Sequence, residues 1–230
     1  MGPFSSLNAS LSVGDVPEAV AENLRRLAHA AGVETGALLT VSQVHGDTVV
    51  KARPGVSTEA DALWTDEPGQ AVGVRTADCV PIVVEDRVGR RVAAVHAGWR
   101  GVLNGVLLRT LRVLQDQGTR LDDVRLVVGP CARACCFEVD GALPDQFAEA
   151  FGPSVVLRPR GQAKPHLDLP LALVTSLARV GVPAASVAVV PGCTMCDTRF
   201  FSHRRDRGVT GRHLSFITCR FGGDPSGPFS

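Results

Sequence analysis

Three short segments carry side chains that bind metals or act as nucleophiles: SQVHGD (42–47) with His45, RTADC (75–79) with Cys79, and VAAVHAGWRG (92–101) with His96. Each lies where an apolar or alternating run gives way to Gly or Pro, so all three side chains are expected at strand ends. Two imidazoles and one thiolate are a donor set suited to Zn²⁺. Three protein ligands leave a fourth position open for water or substrate, which is the catalytic rather than the structural pattern. The long intervals between the three match no short metal motif, and any one alone reads more readily as a satisfied core histidine or an inert buried thiol.

Other residues gather around this set. Asp78 precedes Cys79 and is a candidate proton shuttle, making Asp78, Cys79 and His96 the catalytic candidates. After His96 a Gly-bracketed turn is expected to open a helix, where free backbone N–H groups and the planar charge of Arg100 suit phosphate or carboxylate. His203, in FFSHRRD (200–206), reads either as a solvated basic loop or as a substrate contact. CTMC (193–196) is a CxxC with no second CxxC to complete a four-cysteine site. The crowded thiols of CARACC (131–136) either line a cleft or pack, packing being the reading adopted.

These residues need a scaffold. From Asp15 to Gly32 the spacing predicts a helix, with Pro17 and Glu18 in the first turn and a terminating Gly. Runs at 37–44, 48–52, 71–76, 80–86 and 91–97 read as strands, 101–118 as one helix and 124–130 as a buried strand. Further helices are expected at 144–151 and 168–181, with extended runs at 155–158, 186–190 and 213–220. Strands and helices mix without regular βαβ alternation, which predicts an α/β (α+β) fold with mixed sheets flanked by helices. The chain, 1–230, reads as a single domain.

Composition narrows the function. Lys plus Arg is 24 against 23 for Asp plus Glu, so the net charge of +1 offers no electrostatic reason for nucleic acid or an anionic membrane as partner. No apolar run approaches the roughly 20 residues of a membrane span. The opening segment has no signal-like pattern, and a cytoplasmic location is expected. Seven cysteines, an odd number in a chain too large to need staples, are read as reduced thiols. With no GxGxxG, GxxxxGK[ST] or GxSxG, Rossmann, phosphate-loop and serine-hydrolase readings lose their usual support.

Taken in order, QVHGD, ADALWT, GVRTADCVPIVV, AAVHAGWRG, GPCARACCFEV, HLDL and FFSHRRDRGVTGR resemble the laccase-domain family, also called YfiH-like or peptidoglycan-editing-factor proteins. The resemblance spans nearly the whole chain. It implies a sandwich fold resembling the catalytic domain of a Rho-activating toxin, and metal ligands at His45, Cys79 and His96, binding zinc or copper. It further implies purine nucleoside phosphorylase activity on adenosine, inosine and methylthioadenosine, with adenosine deaminase activity. The substrates would then be a purine nucleoside and phosphate, with Arg100, Arg220 and His203 as the binding candidates. Two alternatives stay open: a cysteine hydrolase or amidase acting on peptidoglycan precursors, with Cys79 as nucleophile and His96 as base, and a copper polyphenol oxidase.

The family's usual opening strand precedes a Ser-Leu-Asn segment. Here GPFSSLN (2–8) stands at the N-terminus, while the likeness of that strand is found in FITCRFGGDPSGPFS (216–230). This arrangement implies a circular permutant whose termini lie close together. The family's Asn after the LDL segment is replaced by Val174.

Overall fold

The computed structural model describes residues 2–159, 161 and 163–220. Elements follow in the order α1 (Pro17–Ala31), β1 (Leu38–Leu39), β2 (Val49–Lys51), β3 (Ala62–Thr65), β4 (Ala71–Thr76), β5 (Val80–Asp86) and β6 (Arg91–Ala97). Then come α2 (Trp99–Asn104), α3 (Val106–Asp116), β7 (Val124–Val128), α4 (Leu143–Phe151), β8 (Val156–Leu157), β9 (His166–Leu167), α5 (Leu169–Arg179), β10 (Val187–Val189) and β11 (His213–Thr218). A six-stranded mixed sheet has the order β10-β7-β5-β6-β3-β2, and a three-stranded sheet the order β1-β4-β11. The fold is thus mixed α/β, as expected.

Side-chain alternation assigns the two faces of the large sheet. Ala62, Trp64, Val80, Ile82, Val84, Ala93 and Val95 join Leu107, Leu111, Phe147 and Leu173 from the helices in one core. Leu63, Val92 and Ala94 point the other way and meet Val72 and Val74 of β4 in a second core between the sheets. Each fully buried Val or Leu contributes about 1.5–3 kcal/mol, so both layers are held by the ordinary hydrophobic effect. Among the described residues no helix is long and apolar enough to cross a membrane.

The run 37–44, read as one strand, is strand only at Leu38–Leu39, and two further elements differ from the sequence reading. The run 101–118 is two helices: α2 starts at Trp99 and ends at Asn104, capped by Gly105, whose φ of 77° lies in the left-handed region and breaks the ladder before α3. ALWT (62–65) is an interior strand absent from the sequence reading, its four residues all being buried and so showing no polar alternation. Of the segment 216–230 that carries the permutation, the residues from Phe221 onward lie outside the described residues.

Candidate active site

Strand geometry brings the three donor residues together. In the β5–β6 pair, Val80 faces Ala97 and Pro81 faces His96. Cys79, one residue before β5, shares the face of Pro81, and His96 shares the face of Val92 and Ala94. Both side chains therefore point toward the gap between the two sheets. β4 belongs to the small sheet and β5 to the large one, so Cys79 lies at the corner where the chain crosses between them. His45 arrives from the loop joining β1 to β2.

The His45, Cys79 and His96 donor atoms all lie within 4.8 Å of one another. His96 is buried, Cys79 half-buried and His45 exposed, so the set opens to solvent on one side. The two imidazole rings meet edge to face, with centroids 4.9 Å apart. Gly98 has no side chain for a steric reason: a Cβ there would come 3.2 Å from His45 Cδ2 and 3.3 Å from Cys79 Sγ.

Asp61 organises the set. Its Oδ1 lies 2.7 Å from His96 Nδ1, which directs the other ring nitrogen toward Cys79 and His45. The same carboxylate accepts the backbone N–H groups of Val44 (3.3 Å), His45 (2.9 Å) and Gly46 (2.6 Å). These bonds hold His45 at a φ of 60°, an uncommon conformation for a residue with a Cβ. Asp61 is fully buried, and although burial alone would raise its pKa, His96 and these amides hold it below the ordinary carboxylate value.

The same contacts set the charge state of the metal-free protein. Burial works to raise the Cys79 pKa, but hydrogen bonds from His45 and His96 bring it down to about 6. Burial works to discharge His96, but its bonds to Asp61 and Cys79 raise its pKa to about 9. A thiolate beside an imidazolium is therefore the neutral-pH state. This donor set fits a borderline metal: a preformed thiolate, a histidine oriented by a carboxylate, and an open side.

A cleft of about 1000 Å³ lies over these residues, and Asp78, Arg100 and His203 line it together with Arg75, Arg204 and Arg212. Arg100 is exposed and stacks on Trp99, its guanidinium carbon 4.4 Å from the ring centroid. Because α2 is only a short helix, the helix-dipole contribution expected beside His96 is smaller than a long helix would give. His203 Nδ1 lies 3.4 Å from an Arg212 nitrogen. Burial depresses the pKa of Arg75 and Arg212, yet guanidinium groups stay cationic in proteins.

Asp78 has a φ of 90° and is engaged on both oxygens. Oδ1 accepts the hydroxyls of Thr194 and Ser202, each at 2.7 Å, and Oδ2 accepts the Arg204 amide at 2.8 Å. Arg220 stands apart from the cleft. Its guanidinium lies beside Gly32, and β11 begins at the site end, where His213 faces Thr76, then runs away from it. The expected role of Arg220 as a substrate contact is not supported by this position outside the cleft lining. Sequence reasoning also missed Asp61, whose one signal is a lone carboxylate at the head of the apolar run ALW.

The sequence model described as multi-copper polyphenol oxidoreductase laccase matches residues 1–220. The chain belongs to this family. Its laccase-domain relatives include a purine nucleoside phosphorylase of Pseudomonas aeruginosa, 40% identical over 221 residues, covering 94% of this chain and 86% of that protein. Purine nucleoside phosphorylase YfiH of Escherichia coli K12 is 37% identical over 221 residues, covering 94% of this chain and 87% of that one. The crystal structure of YlmD from Geobacillus stearothermophilus superposes with a TM-score of 0.88 at 34% identity, covering 96% of this chain and 87% of that one. These laccase-domain neighbours share the mixed α/β architecture described above.

Proposed function

We propose that this protein is a metal-dependent purine nucleoside phosphorylase that also deaminates adenosine, acting in the cytoplasm on a purine nucleoside and phosphate. The observation that carries this reading is the His45–Cys79–His96 donor set, backed by Asp61, at the base of a cleft walled by Arg75, Arg100, Arg204 and Arg212. The names of the relatives point the same way. The seven free thiols suit a reducing compartment.

In phosphorolysis a phosphate oxygen bonds to ribose C1′ as the bond from C1′ to the base breaks, and the departing base takes up a proton. Arg100 and Arg212 would hold phosphate against this carbon, and the charge they supply stabilises the transition state. Phe137 and Trp99 line the cleft and offer apolar faces for the purine. In deamination water adds at C6 and ammonia leaves, so a proton must move between them. Three acceptor sites of Asp78 are engaged, and a carboxylate has about four, leaving one for that proton. Zinc or copper, when bound at the three donors, would supply Lewis acidity.

The test is to incubate adenosine with the purified protein, with and without phosphate. Adenine with ribose 1-phosphate reports phosphorolysis, and inosine reports deamination. Both are expected from wild type and lost in Cys79→Ala and His96→Ala, while Arg212→Ala should reduce the phosphate-dependent product selectively. Wild-type protein that yields none of these products would refute the proposal.

One observation favours a second reading. Cys79, His96 and Asp61 are also arranged as a cysteine hydrolase would need, with the thiolate as nucleophile, His96 as the base that has taken its proton, and Asp61 as the orienting carboxylate. That enzyme would cleave amide substrates in chelator-treated form and be silenced by alkylation. Among the described residues only two histidines join the donor set, which gives a copper polyphenol oxidase reading little support.

A further inference from the structure

CTMC has no second CxxC in the sequence, yet the fold supplies two more thiols. β7 and β10 are parallel neighbours, so the segments leaving them emerge from the same end of the sheet. Backbone pairing continues past the strands, with a parallel β-bridge between Cys131 and Cys193 and the Thr194 amide donating to the Cys131 carbonyl at 3.0 Å. The turns that follow place one sulfur each from Cys135, Cys136, Cys193 and Cys196 within 4.8 Å of one another.

We propose that Cys135, Cys136, Cys193 and Cys196 form a second metal site, a closed four-thiolate zinc centre separate from the His45–Cys79–His96 set. Zn–S bonds of about 2.3 Å in a tetrahedron require sulfurs about 3.8 Å apart. The four sulfurs, all within 4.8 Å of one another, are already near that spacing, with Cys135 and Cys196 sulfurs at 3.5 Å, and those of Cys136 and Cys196, at 2.8 Å, would move apart about 1 Å to admit the ion. Neutral thiols this crowded gain little from one another and thiolates would repel, whereas a soft dication at the centre satisfies all four. Among the described residues no histidine or carboxylate joins the group, so the site offers sulfur alone and leaves no open position. That is the structural rather than the catalytic pattern.

The position gives such a centre a task. It would tie the 131–136 segment to the 193–206 segment. Thr194 and Ser202 from the latter donate to Asp78, the neighbour of Cys79, and Arg205 donates to the carbonyls of Thr194 and Asp197. The thiolate knot would hold the cleft wall without touching substrate. This inference does not depend on which reaction the first site performs.

The experiment measures zinc by elemental analysis in full-length protein purified without chelator, alongside two double variants. Two equivalents are expected in wild type and one each in Cys193→Ser/Cys196→Ser and His45→Ala/His96→Ala. Cobalt substitution keeps the test decisive if the cysteine variant fails to fold. His45→Ala/His96→Ala leaves the cluster intact, and its cobalt form should keep the intense sulfur-to-metal charge-transfer bands of a tetrahedral four-thiolate site. A cobalt form of that variant without such bands would overturn the proposal. So would a cysteine variant with wild-type zinc content, or an intact mass showing the four cysteines paired as disulfides.

Discussion

Asp61 does more for the site than its silence in the sequence suggests, since one buried carboxylate fixes both the His96 ring and the His45 turn. Asp61→Asn keeps the shape but removes the charge, and metal affinity is expected to fall about 10- to 100-fold. Competition with a chromophoric chelator would measure that loss, and an unchanged circular dichroism spectrum would separate it from unfolding. The Cys79 pKa of about 6 has a sign that can be checked in metal-free protein. Thiolate forms as pH rises, so Cys79 alkylation should accelerate through a midpoint near 6 instead of the ordinary thiol range. In His45→Ala the midpoint should move up, because one of the two hydrogen bonds that hold it down is gone. His45, Cys79 and His96 were legible from residue type and strand-end position. Asp61 was not, because a carboxylate in an apolar run declares its role only when register sets it beside a histidine.

At the scale of elements, two glycines separate packing from backbone conformation. Gly98 has an ordinary φ of −69°, so Gly98→Ala has no backbone cost. Its methyl would press on His45 and Cys79, and activity should drop while the melting temperature barely changes. Gly105 has the opposite character, with nothing near a Cβ but a φ of 77°. Gly105→Ala should destabilise the protein by about 1–2 kcal/mol, read from denaturant titration, with the metal site intact. Strong periodicity made α1, β4, β5 and β6 readable. The break at Gly105 was hidden because apolar residues continue in helical spacing on both sides of it. β3 was hidden because four buried residues carry no alternation. The four-cysteine cluster was hidden for a third reason, since its two pairs become neighbours only through the parallel β7–β10 contact.

The whole molecule separates stability from chemistry by layer. Phe147 is fully buried in the helix-facing core and does not line the cleft, so Phe147→Ala should cost about 3–5 kcal/mol of stability, seen as a lower melting temperature, and leave turnover unchanged where the protein stays folded. The mixed order of strands and helices announced the fold class, but not that β4 and β5 belong to different sheets, and that crossing is what places Cys79 at the mouth. The most direct check of the central claim is reconstitution. Chelator-stripped protein would be titrated with zinc while adenosine consumption is followed in phosphate buffer. Activity should be absent at the start, rise as the His45–Cys79–His96 site fills, and stay absent throughout in Cys79→Ala; full turnover by stripped protein, or by Cys79→Ala, would contradict the account.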